Sequence, residues 1–383
     1  MRSILPFPIR PARSGILALL LAAAPLAQAL SGTPEEASLT LERARASMAR
    51  IVQGSNNVNN NDHGDFSASP EVNRFLDQMV SKHGFKRSEL EALFANVNHV
   101  ETAIQLMKPA PPGKPKNWQA YRARFVEPVR INAGVKFWND NLDALERAQQ
   151  QYGVPADIIV GIIGVETVYG RVTGNFRVLD ALTTLAFDYP AAPNRAARMM
   201  FFEGELESVL LLTRSEQIDP LSLLGSYAGA VGLPQFMPSS ILKHAIDFDG
   251  DGHIDLRNSN ADAIGSVANF LVQHGWQRND PGPIVVAAKV APDQAWKPLI
   301  DLGLAATLRT DQLLAAGVSS DVTPPDMLFG LVDLQNGAQA TEYWLGTNNF
   351  YAITHYNRSY FYAMSVIELG RAVRLARDPG TNL

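Results

Sequence analysis

The chain has 383 residues, 46% of them apolar and 19% charged, with a formal net charge of −5 and no cysteine. These numbers allow a sizeable core divided into two or three domains, and they exclude a disordered chain or a disulfide scaffold. No basic run marks a nucleic-acid footprint, so nucleic acid is excluded as a partner.

Residues 1–29 form a secretory signal peptide. Arg2, Arg10 and Arg13 give the positive region, Ile16 to Ala24 an apolar stretch too short to span a membrane, and Ala27-Gln28-Ala29 a cleavage site. Cleavage after Ala29 removes three arginines and no acid, so the charge moves from −5 to −8. Without a cysteine to carry a lipid, the mature protein is expected to be soluble in the periplasm. Residues 30–69 are a flexible segment: a short helical pattern at Ser38 to Val52, then an Asn-, Gly- and Asp-rich run that cannot pack.

A helical domain is expected over 70–150. Pro70 opens a helix with Val72, Phe75, Leu76, Met79 and Val80 at a 3.6-residue period, and Gly84 closes it. Leu90, Leu93, Phe94 and Val97 extend the helical pattern, and the Pro- and Lys-rich run Lys108 to Lys116 is a solvated connector. Tyr121, Phe125, Val129, Phe137, Trp138, Leu142 and Leu145 then recur at helical spacing and read as core.

The chemistry concentrates in 151–280. Pro155 suits a first helical position and Asp157 the first turn. Glu166 lies three, four and seven residues after Ile163, Ile162 and Ile159, so its carboxylate shares an apolar helix face. Desolvation there favours the neutral acid, as a general acid working near neutral pH requires. The same pattern suits a structural Glu paired with Arg171 or Arg177. Downstream, the Gly-rich run Gly229-Ala-Val-Gly-Leu-Pro-Gln235 carries one amide, Gln235, and leads into an acidic loop.

In that loop, 247–258, Asp247, Asp249, Asp251 and Asp255 fall at positions 1, 3, 5 and 9 of a calcium loop, with Gly252 at the turn and the His253 carbonyl at position 7. Asn258 stands at position 12 in place of the usual bidentate Glu, which points to a weak structural calcium site, with sodium as the alternative ion. Helices flank the loop, at Ser239 to Ile246 and at Ala261 to Gln273. Short apolar runs at Ile284 to Val290 and Met327 to Val332, punctuated by Gly and Pro, give a small β-rich domain over 281–345. A segment over 346–383 returns to the core through a helix at Tyr360 to Ala376.

The runs Ile159-Val-Gly-Ile-Ile-Gly-Val-Glu-Thr167, Gly225-Ser-Tyr-Ala-Gly-Ala-Val-Gly-Leu-Pro-Gln-Phe-Met-Pro-Ser-Ser240, the acidic loop, Asp262 to Asn269, Tyr343-Trp-Leu-Gly346 and Asn348 to Asn357 resemble the lytic murein transglycosylase B family over nearly the whole mature chain. The resemblance implies a mainly α (α+β) protein: a lysozyme-like helical core with an EF-hand-like calcium loop, an α domain and a small β domain. It implies non-hydrolytic cleavage of the MurNAc–GlcNAc bond in peptidoglycan glycan strands, by a monomer, with no cofactor for catalysis. Glu166 matches the sole catalytic acid/base. Tyr121, Ser226, Gln235, Phe270, Tyr356, Asn357 and Tyr362 match substrate-binding positions. Phe270 stands where a tyrosine is expected, and Ala191-Ala192 replaces a basic pair, with Arg195 nearby as a substitute cation.

One acid is enough if the 6-hydroxyl of the muramoyl sugar attacks its own anomeric carbon, because no water then needs activation. Two alternatives keep the scaffold. A hydrolytic muramidase would need a second carboxylate, for which Asp180 and Asp188 are the candidates. A calcium-dependent wall-binding module would tolerate the loss of Glu166.

Overall fold

The computed structural model describes Phe66 and residues 69–380 apart from 110–114, 279–281, 301 and 323–326. The signal peptide, most of the 30–69 segment and the middle of the connector lie outside the described residues. Helix α1 (Pro70–His83) begins where Ser69 Oγ accepts from Val72 N, and it ends where Gly84, at φ 67°, donates to Met79 and Val80 carbonyls. With α2 (Arg87–Phe94) and α3 (Glu101–Met107) it buries Phe75, Leu76, Met79, Leu90 and Phe94.

The helical pattern from Trp118 resolves into three helices, α4 (Trp118–Arg122), α5 (Pro128–Asp140) and α6 (Leu142–Tyr152). Pro128 forces the first break and Asn141 marks the second. Val129, expected in the core, is 61% exposed, because it sits in the first turn of a new helix rather than on the continued face of an old one.

Helix α7 (Ala156–Thr167) has every residue buried except Glu166, the pattern of a helix enclosed by protein on all sides. Pro155 lies one position before the helix, in extended conformation, and Ala156 N donates to Gln149 Oε1 instead. After α7 come β1 (Phe176–Arg177), α8 (Val178–Phe187), α9 (Arg195–Ser215), β2 (Leu224–Gly225), α10 (Pro238–His244) and α11 (Asn260–Gln273). β1 and β2 pair antiparallel, Phe176 opposite Gly225, and so join the segment after α7 to the start of the Gly-rich loop.

Four strands make the small sheet: β3 (Val285–Val290), β4 (Val318–Ser319), β5 (Gly330–Asn336) and β6 (Gln339–Gly346), in the order β4-β3-β6-β5 and antiparallel throughout. Side chains alternate between its faces. Val285, Val332 and Leu334 join the main core, whereas Val286, Leu331 and Leu345 form a second cluster with Trp296, Leu308 and Phe329.

Helix α12 (Lys297–Ile300) and helix α13 (Thr310–Ala315), which contributes Leu313, lie between β3 and β4. The chain ends in α14 (Asn348–Thr354) and α15 (Tyr360–Arg377), the latter lying against α7. The two helices approach so closely that a Cβ on Gly161 would meet the Val366 carbonyl, and one on Gly370 the Asp157 carbonyl. Arg374 ties the same interface to Asp157 at 3.2 Å. This packing brings Tyr362 opposite the end of α7.

Candidate active site

Glu166 accepts a hydrogen bond from Tyr362 Oη at 2.7 Å. Burial pushes its pKa from 4.5 up to about 7, against the smaller downward pull of that bond. Among the described residues no cation lies within ion-pair distance of it. Arg177 instead makes a bidentate pair with Asp180 at 2.7 and 2.8 Å, so the structural pairing that the sequence allowed is not formed. No carboxylate figures among the causes of the Glu166 shift either. Asp180 also accepts from Asn98 N, and Asp188 pairs with His99 at 3.0 Å, so both candidate second carboxylates are engaged elsewhere.

Tyr121, Tyr356 and Tyr362 surround the acid. All three hydroxyls are held above the usual phenol range, first by burial and next by the Glu166 charge. The Tyr121 hydroxyl is buried without a hydrogen-bond partner, and its ring packs against Trp118, Phe125 and Phe361. Tyr356 stacks on Tyr362 (centroids 6.2 Å apart, planes at 15°) and donates to the Pro234 carbonyl at 2.7 Å. Phe270 follows, 4.8 Å from the Tyr356 ring. Asn357 is half-buried on the same loop, and its carbonyl accepts from Ser359 N.

In the Gly-rich loop, Ser226 Oγ accepts from Ala228 N and Ala230 N, which uses its acceptor capacity on the turn and leaves its proton to donate. Gln235 adopts a left-handed conformation (φ 51°) that a non-glycine residue rarely takes. Its Nε2 spends both protons, on the Gly232 carbonyl at 2.8 Å and the Thr173 carbonyl at 3.2 Å. The amide oxygen of Gln235 is therefore the end left able to accept a further hydrogen bond.

Thr167, beside the acid, is a residue that the sequence reading passed over. Its Oγ1 donates to the Leu233 carbonyl at 2.9 Å and accepts from Gly170 N at 3.0 Å, while Leu233 N donates to the Leu256 carbonyl at 2.8 Å. The end of α7, the Gly-rich loop and the acidic loop are thereby joined in series.

In the acidic loop, Asp247, Asp249 and Asp251 bring carboxylate oxygens within 4.8 Å of one another, a grouping that suits a hard cation. Asp247 accepts from Gly250, Asp251 and Gly252 backbone N–H groups, chief among the causes that hold its carboxyl below the usual range. The His253 N–H donates to Asp251. Asp255 does not join the trio; it accepts from Arg257 N, Asn258 N and the Asn258 side chain. Asn258 is thus turned toward Asp255.

The carboxylate that shapes this loop is Asp262, buried in the first turn of α11. It accepts from Phe248 N at 2.7 Å, Asp249 N at 3.3 Å and Asp255 N at 2.8 Å. Its sequence signal is an acid three residues after the N-cap Ser259, but the first turn of a helix attracts acids in any case.

The transglycosylase SLT domain matches residues 67–371. The membrane-bound lytic murein transglycosylase B of Escherichia coli is 46% identical over 327 residues, 82% of this chain and 85% of that protein. The solved structures of the E. coli lytic transglycosylase Slt35, in complex with bulgecin A and with calcium, are each 45% identical, at TM-scores of 0.73 and 0.72 over 82% of this chain and 96% of theirs. SltB3 from Pseudomonas aeruginosa, solved with NAG-anhNAM-pentapeptide, is 26% identical at a TM-score of 0.65, covering 79% of this chain and 78% of that one. With a matching domain across most of its length and a lysozyme-like helical core, the chain belongs to the SLT-domain family of lytic murein transglycosylases, which act on peptidoglycan.

Proposed function

We propose that the chain cleaves the MurNAc–GlcNAc bond without water, with Glu166 as the only acid/base, and leaves 1,6-anhydro-MurNAc ends. The supporting observation is a solitary enclosed carboxyl with a pKa near 7, hydrogen-bonded to Tyr362 and influenced by no second carboxylate. Protonated Glu166 gives its proton to the glycosidic oxygen as the bond to the anomeric carbon breaks. The sugar's acetamido carbonyl supports the cation that develops. The carboxylate then takes the proton of the 6-hydroxyl as that oxygen bonds to the anomeric carbon, which returns Glu166 to its starting form. The anhydro sugar in the SltB3 complex is the kind of product this route yields.

Tyr362 holds one carboxylate oxygen and leaves the other for proton transfer. The unpartnered Tyr121 hydroxyl, the amide oxygen of Gln235, the hydroxyl proton of Ser226 and the Asn357 amide would take sugar hydroxyl and acetamido groups, and Tyr356 and Phe270 would meet ring faces. Asp247, Asp249 and Asp251 would hold a structural calcium ion, with the His253 carbonyl, Asp255 and Asn258 completing the loop and sodium as the weaker alternative. The complex of Slt35 with calcium supports this reading. The peptidoglycan substrate, together with the leader expected at residues 1–29, supports action in the periplasm; among the described residues no helix is long and apolar enough to cross a membrane.

Digestion of purified sacculi in heavy-oxygen water tests the mechanism. Anhydro ends free of solvent oxygen are expected. Reducing ends that each carry one labelled oxygen would place the chain among hydrolytic muramidases.

A further inference from the structure

Three histidines from separate elements meet at the far end of the aromatic run that begins at the catalytic acid. His274 caps α11, His244 ends α10, and His355 follows α14. The His244 and His274 rings are 4.9 Å apart, and the His274 and His355 rings 5.2 Å. Phe270 stacks on His274 at 4.0 Å with planes at 24°, so the row continues from Glu166 through Tyr362, Tyr356 and Phe270.

The row lacks the partners that a structural cluster of imidazoles would have. Among the described residues no carboxylate lies within ion-pair reach of any of the three. The charged groups that face them are cations, Lys243 toward His244 and Arg358 toward His355. Glu205, the carboxylate that feels Lys243, is spent on Ser239 N and Oγ. His274 Nδ1 is taken by its own Phe270 carbonyl at 2.7 Å, whereas His244 Nδ1 is buried with no partner. The row is not a metal centre, since among the described residues only the aspartate trio brings three ligating groups within one ion's reach.

Burial holds the His244 and His355 imidazoles below their usual pKa, and the adjacent His274 and the cations Lys243 and Arg358 add to this. An anion placed against them reverses the balance and draws protons in, so binding and protonation are linked. Peptidoglycan offers such anions in the free carboxylates of its stem peptides, which stay ionised at pH 5.

The geometry points to His244, His274 and His355 as a subsite for a stem-peptide carboxylate, one that favours peptide-bearing glycan over naked glycan as the pH falls. This rests on the groove assignment proposed above. The test compares kcat/KM on matched short glycans with and without the pentapeptide, at pH 5 and pH 7.5, for the parent and for a His274→Gln/His355→Gln variant. Taking the ratio of the two substrates at each pH cancels the titration of Glu166.

The parent's preference for the peptide-bearing glycan should rise roughly two- to fivefold from pH 7.5 to pH 5, the range of an exposed ion pair. The variant should lose that rise and keep the parent's activity on naked glycan. The single variant His355→Gln, at an exposed position, should lose part of the rise and guards against misfolding of the double one. Free acetate added to the parent at pH 5 should leave the ratio unchanged, because a lone carboxylate lacks the tether of the glycan. A preference independent of pH in the parent, or one that survives in the variant, overturns the proposal. A parent that cuts neither glycan overturns the groove assignment itself, and the proposal with it.

Discussion

Replacing Glu166 by Gln should abolish turnover and at the same time stabilise the protein at alkaline pH. Burial raises the Glu166 pKa from 4.5 to about 7. The folded chain therefore holds this proton more tightly than the unfolded chain does. Stability is full below about pH 4.5 and is lost as the pH rises toward about 7, because ionisation then occurs more easily in the unfolded state. At 1.36 kcal/mol per pKa unit the loss is about 3 kcal/mol by pH 8 and close to zero at pH 4.

Gln keeps the volume and can accept from Tyr362, but it carries no charge. Urea unfolding of parent and variant at both pH values measures the effect, and the difference between the two pH values removes whatever the amide itself costs in packing. A variant advantage about 3 kcal/mol larger at pH 8 than at pH 4 is expected. An advantage that does not change with pH would show that Glu166 is not held protonated by its surroundings, and the reasoning about the acid would fail.

Tyr362→Phe keeps the stack on Tyr356 but removes a donor to the ionised carboxylate, so the Glu166 pKa should rise further. The high-pH limb of kcat/KM should move upward by about one unit, and a limb that stays in place in the pH–rate profile would refute the role of this bond. Calcium should raise the melting temperature of the parent, and Asp251→Ala should abolish that rise. Asp262→Ala should destabilise the protein by about 2–4 kcal/mol even with chelator present, because three backbone N–H groups lose their acceptor, as denaturant titration would register.

Features governed by local rules were legible in the sequence. The first described helix was readable because Pro70 and Gly84 act within a residue of the ends they set. Glu166 stood out as a lone charge in an apolar run, and the acidic loop through its spacing. What escaped was encoded by contact between distant segments. Tyr362 meets Glu166 across 196 positions of chain, and no periodicity within α15 announces it. Val129 fitted the helical period yet faces solvent, because periodicity cannot see that a proline has started a new helix. Asp262 and Thr167 were hidden for a related reason: their side chains serve backbone groups, and backbone groups look alike at every position.

That last property bears on how this protein would respond to mutational scanning. Between the acidic loop and Glu166 the hydrogen-bonded connection runs through the Leu256 carbonyl, both backbone groups of Leu233 and the Thr167 hydroxyl. Substitutions at Leu233 or Leu256 change packing but leave those peptide groups in place. A side-chain scan would therefore register the route only at Thr167 and would score the rest as ordinary core. Replacing the peptide bond at Leu233 or Leu256 by an ester, which removes the N–H or weakens the carbonyl, would expose a connection that side-chain replacement leaves intact.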